Sequence, residues 1–397
     1  MQWITHYEPR PSHAAGAAAA FVRACQTGLE QGPPQLVMVF ASAAVRFMLA
    51  DLVATVYQEF GEGVTVLGCT GAGLVANARE HEQTDGIVWM AGYLPDVGVV
   101  PFWISPAEAR SRSPAEWQTA LSLRPEQQPA FVLLSDLFSV DGQALANALD
   151  QAFPGCPKIG GVASSGQTPG SNRLICDRQI ERTGAVGVAL WGDLRMVPFI
   201  AQGARPVGPI LEVTQASGGS ILGLDGKPVL TVLESLFAGL SQADRLQFQD
   251  QPGLGLARQG IATEHLQPHD FVVRTMIGFR RAENALLVGA EVLPGDRVQL
   301  RIRDATIAHE SLVHHTQQLA RVPSTAAPAG ALLFTGQNRG LDLFDIPDHD
   351  VSVIRGALRN PPIAGLFSQR ELGPVRGKTR EHGGSAGVAL FYTRGWS

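Results

Sequence analysis

The 397-residue chain is 45% hydrophobic and 17% charged, with a formal net charge of −5. This balance excludes a disordered or low-complexity chain, and the length exceeds one ordinary core, so two domains are expected. Lysines and arginines are scattered, which leaves no basic footprint for nucleic acid.

No run reaches the roughly 18 consecutive apolar residues that a membrane-spanning helix needs. Ala14 to Cys25 is alanine-rich and amphipathic, carries Arg23, and follows Glu8 and Arg10, unlike a secretory leader. A cytoplasmic protein without membrane insertion is therefore expected. Cys25, Cys69, Cys156 and Cys176 lie far apart with no CxxC pair, so reduced and buried thiols are expected rather than zinc or a redox dithiol.

In chain order, Leu36 to Ser42 reads as a buried strand, followed by a helix burying Val45, Met48, Leu49, Leu52, Val53, Val56 and Phe60. Gly61 and Gly63 stop it, the strand and turn VLGCTGAG (66–73) follow, and Ile87 to Leu94 is a closing strand. The same grammar returns as strand 130–135, a helix capped by Asp141, KIGGVASSG (158–166) and closing strand 184–191. It returns again as strand 331–335, a helix capped near Asp348, PPIAGLFSQRELGP (361–374) and closing strand 385–392. In each unit the second strand begins about thirty residues after the first, which marks an internal repeat.

Gly203 to Gly226, rich in glycine and proline, reads as the domain junction, with boundaries at 1–224 and 225–397. Beyond it, 271–274, 285–289 and 296–303 read as strands, and Thr306 to Leu319 as a helix. The expected fold is α/β: a two-domain chain of repeated strand-helix-strand units forming mixed sheets flanked by helices.

The strand-to-loop switches are where binding groups would stand, because the strand fixes the loop and the loop frees its side chains. Arg376-Gly377-Lys378-Thr379 lacks the earlier glycine and the helix of a phosphate loop. His265 and His269 are four apart, but Pro268 intervenes, and His314-His315 is the other histidine cluster, so a metal site is weakly signalled. No GxSxG elbow is present, and a nucleophile at Cys69 or Ser164 has no base that the spacing identifies.

Taken together, VFAS (39–42), GCTGAG (68–73), GGVAS (160–164), QGARPVG (202–208), LDG (224–226), RDA (303–305), GQNRG (336–340), GLFSQRELGPV (365–375) and Glu381-His382-Gly383 occur in order. The chain thereby resembles the FIST family, a sensory module of FIST N followed by FIST C, from about Leu36 onward. The resemblance implies a stand-alone intracellular sensor of an amino-acid-like or other small metabolite, not an enzyme. Its partner would be a separate signalling protein such as a histidine kinase or cyclase.

The ligand-binding residues it implies are Cys69, Thr70, Ala163, Ser164, Asn338, Arg339, Arg370, Glu371 and His382. Arg339 or Arg370 would hold an anionic group and Glu371 an ammonium. Departures from the family pattern are Arg370 and Asn338 in place of glycine, and Gly336 and Ser368 where cysteine is common. No cofactor is required by this reading. One alternative is a haem-binding nitric-oxide sensor with His382 as axial ligand, regulating a histidine kinase or cyclic-di-nucleotide enzyme. Another is an enzyme using the Cys69 or Ser164 nucleophile.

Overall fold

Continuous apolar runs become strands buried on both faces, as Leu36–Ala41 shows at all six positions. The computed structural model describes residues 1–250, 252–257, 263–266, 270–321 and 327–394. Pro268 and His269 lie outside the described residues.

The chain opens with β1 (Gln2–Pro9), α1 (Ala14–Gly28), β2 (Leu36–Ala41), α2 (Leu49–Phe60) and β3 (Thr65–Thr70). A hairpin, β4 (Gly73–Ala76) and β5 (Arg79–His81), and then β6 (Gly86–Tyr93) complete this first repeat. The second repeat runs through β7 (Val97–Ile104), α3 (Glu108–Ser111), α4 (Pro114–Leu121), β8 (Ala130–Asp136) and α5 (Gly142–Ala152). It ends with β9 (Lys158–Ala163), hairpin β10 (Leu174–Cys176) and β11 (Gln179–Glu181), and β12 (Ala185–Gly192).

The third repeat starts with β13 (Arg195–Ala201) and is then interrupted. The interruption holds β14 (Ala204–Ser217), β15 (Ser220–Leu224), β16 (Lys227–Pro228), α6 (Val229–Gly239), α7 (Gln242–Asp250) and β17 (Gly253–Ala257). It continues with β18 (Val272–Arg280), β19 (Ala285–Val288) and β20 (Arg297–Arg303). The repeat resumes through α8 (Ala305–Ala320), β21 (Gly330–Gly336), α9 (Leu341–Phe344), α10 (His349–Ala357) and β22 (Ile363–Ser368). Hairpin β23 (Glu371–Val375) and β24 (Lys378–His382), then β25 (Ala386–Tyr392), close it.

Two compact units result, Met1–Ala201 with Leu312–Ser397, and Gln202–Ser311. Residue 225, the boundary expected from sequence, lies inside the second unit between β15 and β16. In the first unit, three six-stranded sheets share one plan: β1-β6-β2-β3-β10-β11, β7-β12-β8-β9-β23-β24 and β13-β25-β21-β22-β4-β5. In each, the two central strands are parallel and the closing strand is antiparallel to its neighbours. The mixed pairing expected from sequence is observed. Each sheet is completed by a hairpin from a different repeat: the first lends to the third sheet, the second to the first, the third to the second.

Alternation along the inner strands builds the layers. Leu36, Met38 and Phe40, Ala130, Val132 and Leu134, and Leu332 and Phe334 all enter one shared core. Their outward neighbours pack under helices, as Val37 and Val39 do with Leu52 and Val56 of α2. The paired inner strands approach closely at Gly68, Gly160 and Gly365. A Cβ there would lie 2.1, 2.0 and 1.8 Å from the carbonyl oxygens of Val39, Leu133 and Leu333, so only glycine fits.

The second unit is an antiparallel barrel. Strands run β14-β20-β17-β18-β19-β15, and β15 pairs back with β14 around a core including Val213, Leu254, Leu286 and Val298. Residues 203–226, expected to be a junction, are mostly the strands β14 and β15. Pro209 is tolerated because the β14 register shifts between Val207 and Leu211 and it falls in that irregularity.

Candidate functional site

The inner parallel strands of all three repeats end at one pole of the first unit, where their loops meet. Register with the three close-approach glycines makes Thr70, Val162 and Phe367 equivalent, and likewise Ala72, Ser164 and Gln369. Ser164 N–H donates to Thr70 O (3.1 Å) and Gln369 N–H to Val162 O (3.1 Å), two equivalent bonds of a threefold ring. At the third position a side chain intervenes: Ala72 N–H donates to Ser164 Oγ (2.9 Å), which donates to Phe367 O. Ser164 is thus committed to the backbone junction.

Thr70 Oγ1 accepts from Arg173 N–H (2.9 Å) and lies in hydroxyl–hydroxyl contact with Ser165 Oγ (2.7 Å). Ser165 Oγ donates to Asn172 Oδ1 (3.1 Å), and Asn172 Nδ2 donates to buried Asp136 (3.1 Å). Cys69 and Ala163 are buried in the shared core, and burial pushes the Cys69 thiol far up, away from nucleophilic thiolate.

A second polar group belongs to the third repeat. Arg339, fully buried, makes a bidentate pair with Asp350 through Nε (2.9 Å) and Nη2 (2.8 Å). Thr335 Oγ1 donates to Asp350 Oδ2 (2.9 Å), and His349 Nδ1 lies 2.9 Å from Oδ1. Burial alone would raise the Asp350 carboxyl, but the Arg339 charge and these hydrogen bonds hold it well below the usual range. Arg339 Nη1 is buried with no hydrogen-bond partner among the described residues.

Glu80, on the hairpin lent by the first repeat, accepts from Val351 N–H (2.9 Å). Burial, reinforced by the Asp350 charge, pushes it up to about 8. Asp348 stands at the start of α10 as the sequence suggests, but it does not cap the helix. Its carboxylate accepts from Glu80 N–H (2.7 Å) and pairs with Arg79, tying the borrowed hairpin down.

Glu371 is the other buried carboxyl. Strand register places it where the first and second repeats carry Leu74 and Leu174. Ser385 N–H donates to its Oε2 (2.9 Å) and Ser368 Oγ to its Oε1 (3.1 Å). Burial nevertheless raises it to about 8, against those two bonds and the Arg339 charge. A carboxyl in that state donates hydrogen bonds near neutral pH, so the ammonium-holding role expected for Glu371 is not what this environment favours. Arg370 pairs with Glu381, which removes it as a free anion-holding cation. His382 is buried in β24, opposite Glu371.

The expected residues therefore fall into two neighbouring groups, Thr70 with Ser164, and Arg339 with Glu371, His382 and Arg370. Gln337 links them by donating to Ser164 O (3.0 Å). Asn338 sits against Gly336 and Gly384. Asp350, Glu80, Ser368 and Ser385 were not expected. The acid at the start of α10 carried the signal for Asp350, whereas Glu80 arrives only through hairpin exchange. Among the described residues, no group of three His, Cys, Asp or Glu side chains is placed to hold a metal ion. No described helix is long and apolar enough to cross a membrane.

Fold and site define a three-repeat α/β protein with an inserted barrel and a buried Arg–Asp–Glu cluster at its strand-end pole. The FIST N domain model matches residues 35–227 and the FIST C domain model residues 230–374, so the chain belongs to the FIST family. FIST domains are associated with small-ligand sensing in signal transduction. An uncharacterized protein of Mycobacterium tuberculosis is 33% identical over 96% of this chain and 97% of its own length. One from Mycobacterium bovis is 32% identical over 90% of each chain. Among solved structures, cyanuric acid hydrolase from A. caulinodans matches over 99% of both chains at 8% identity and a TM-score of 0.36, too distant to carry an argument.

Proposed function

We propose that this protein is a non-enzymatic sensor of a small metabolite bearing a carboxylate, amino-acid-like ligands included, and that the Arg339–Glu371 cluster reads it. The observation that carries this is Arg339 Nη1, a buried guanidinium N–H with no partner among the described residues. Beside it stands a carboxyl that keeps its proton near neutrality. Both groups donate hydrogen bonds, and a carboxylate needs donors. Burying such groups in an apolar repeat is costly, and the two other repeats do without them at the Glu371 position.

The cluster is closed, so ligand entry is coupled to movement of residues 337–348, which carry Arg339 and expose Leu341 and Ile346. Binding would then favour one conformer, and a separate signalling protein such as a histidine kinase or cyclase would read that conformer. Cys69 and Ser164 favour the non-enzymatic reading, since one is fully buried and the other occupied by backbone.

The test is calorimetric titration of the intact protein with glutamate, alanine and 2-oxoglutarate. Saturable binding is expected for at least one, weakened about tenfold in Glu371→Leu, which removes the donor and installs the residue that the other two repeats carry there. Absence of binding by all three, or unchanged affinity in Glu371→Leu, overturns the proposal.

A further inference from the structure

A second site lies at the opposite pole of the same unit, where β8 and β9 begin. A cavity of about 410 Å³ opens there, walled by Pro125, Pro154 and Pro157 with Leu194 and Met196. Arg195 and Arg394 line it, and no aspartate or glutamate is among its described lining residues. The seven residues of β8 span about 20 Å, so this cavity is remote from the Arg339–Glu371 cluster.

Neither arginine has an acidic hydrogen-bond or ion-pair partner among the described residues. Among the described residues Arg394 donates to neutral groups, Gly192 O (3.4 Å) and Gln128 Oε1. The Arg195 guanidinium makes no hydrogen bond or ion pair among the described residues. The fold does not require a charge there. Arg195 lies opposite Tyr392, and the equivalent positions opposite Tyr93 and Trp191 are Gln2 and Gly98. Gln2 uses both ends of its amide, donating to Gly28 O (2.6 Å) and accepting from Glu30 N–H (3.0 Å). Arg195 stands instead beside a cavity.

We infer that this cavity is an anion site for a small organic oxyanion, a phosphate or carboxylate held between Arg195 and Arg394 with its apolar remainder on the proline wall. Clefts lined by one sign of charge concentrate the opposite ion, and guanidinium groups suit planar or tetrahedral oxyanions. Prolines supply apolar surface without backbone N–H donors, so recognition of charge falls to the arginines. The site joins the second repeat to the third through 194–196, and an occupant would brace that joint.

Calorimetry at low salt with phenyl phosphate, benzoate and inorganic phosphate tests this. Phenyl phosphate is expected to bind saturably and several-fold more tightly than inorganic phosphate, because only the former uses the apolar wall. Benzoate binding comparably to phenyl phosphate would assign the site to aromatic oxyanions of either kind, benzoate alone to carboxylates, and phenyl phosphate alone to phosphate esters. Arg195→Gln and Arg394→Gln should each weaken binding about tenfold, and the double variant should abolish it at an unchanged melting temperature. Glu371→Gln should leave it intact. No saturable binding of any probe, an unaffected double variant, or loss in Glu371→Gln would each overturn the inference.

Discussion

Glu371 shows how one residue departs from a repeated plan. Its counterparts are leucines, and in their place it puts a carboxyl whose two oxygens accept from Ser368 and Ser385. Glu371 and Glu80 are both raised to about 8 from a reference of 4.5, chiefly by burial. Between those values the folded chain holds protons that the unfolded chain has released. Their contribution to stability is full below the unfolded value and is lost as pH rises through the folded one, at up to about 1.4 kcal/mol per pH unit for each group. Urea denaturation at pH 5.5, 7 and 8.5 should show falling stability, and Glu371→Gln should flatten the decline. Equal slopes in the two proteins would mean that Glu371 is ionised throughout. Asp350 is depressed instead, so its share is lost only in acid, below its ordinary value of 3.8. The family resemblance pointed to Glu371, Arg339 and His382, and Glu371 also stands in a polar run directly after an apolar strand. It could not assign their states, since the proton on Glu371 depends on burial and the engagement of Arg370 on the register that places Glu381 nearby.

Among the elements, the paired inner strands are the most constrained. Gly365→Ala would set a Cβ 1.8 Å from the Leu333 carbonyl oxygen, and main chain cannot swing aside as a side chain does. A loss of about 3 kcal/mol or more is expected in chemical denaturation. Ser164→Ala should cost less, about 1–3 kcal/mol, by orphaning Ala72 N–H and Phe367 O at the strand-end ring. A Ser164→Ala protein as stable as wild type would show that water replaces the hydroxyl. These inner strands were legible because both faces are buried and their apolar runs are continuous. The edge strands were not, although Val100-Pro101-Phe102 of β7 and Val197-Pro198-Phe199 of β13 spell one motif. That echo places 195–201 at the start of a third repeat. Its continuation was hidden because about a hundred residues separate β13 from α8 in sequence.

At the scale of the molecule, the hairpin exchange makes the three repeats interdependent. Residues 1–96 alone would lack the β10–β11 hairpin that covers β3, and their own β4–β5 hairpin would have no β22 to pair with. Isolated single repeats are therefore expected to expose strand edges and aggregate rather than fold. The inserted barrel is a different case. Gly203 O accepts from Asp304 N–H (2.9 Å), and Ala204 pairs with Arg303, so the insertion leaves and returns at one point. Its apolar side chains form their own cluster around Val213, Leu254 and Val298. Replacing 204–303 by a short glycine-serine linker should therefore preserve the three-sheet unit, because none of its eighteen strands is removed. A cooperative thermal transition with intact far-UV circular dichroism is the expected result. Loss of cooperativity in that variant would show that the barrel is needed for the three-repeat unit to fold, and the two units would then be one folding entity despite their separate cores.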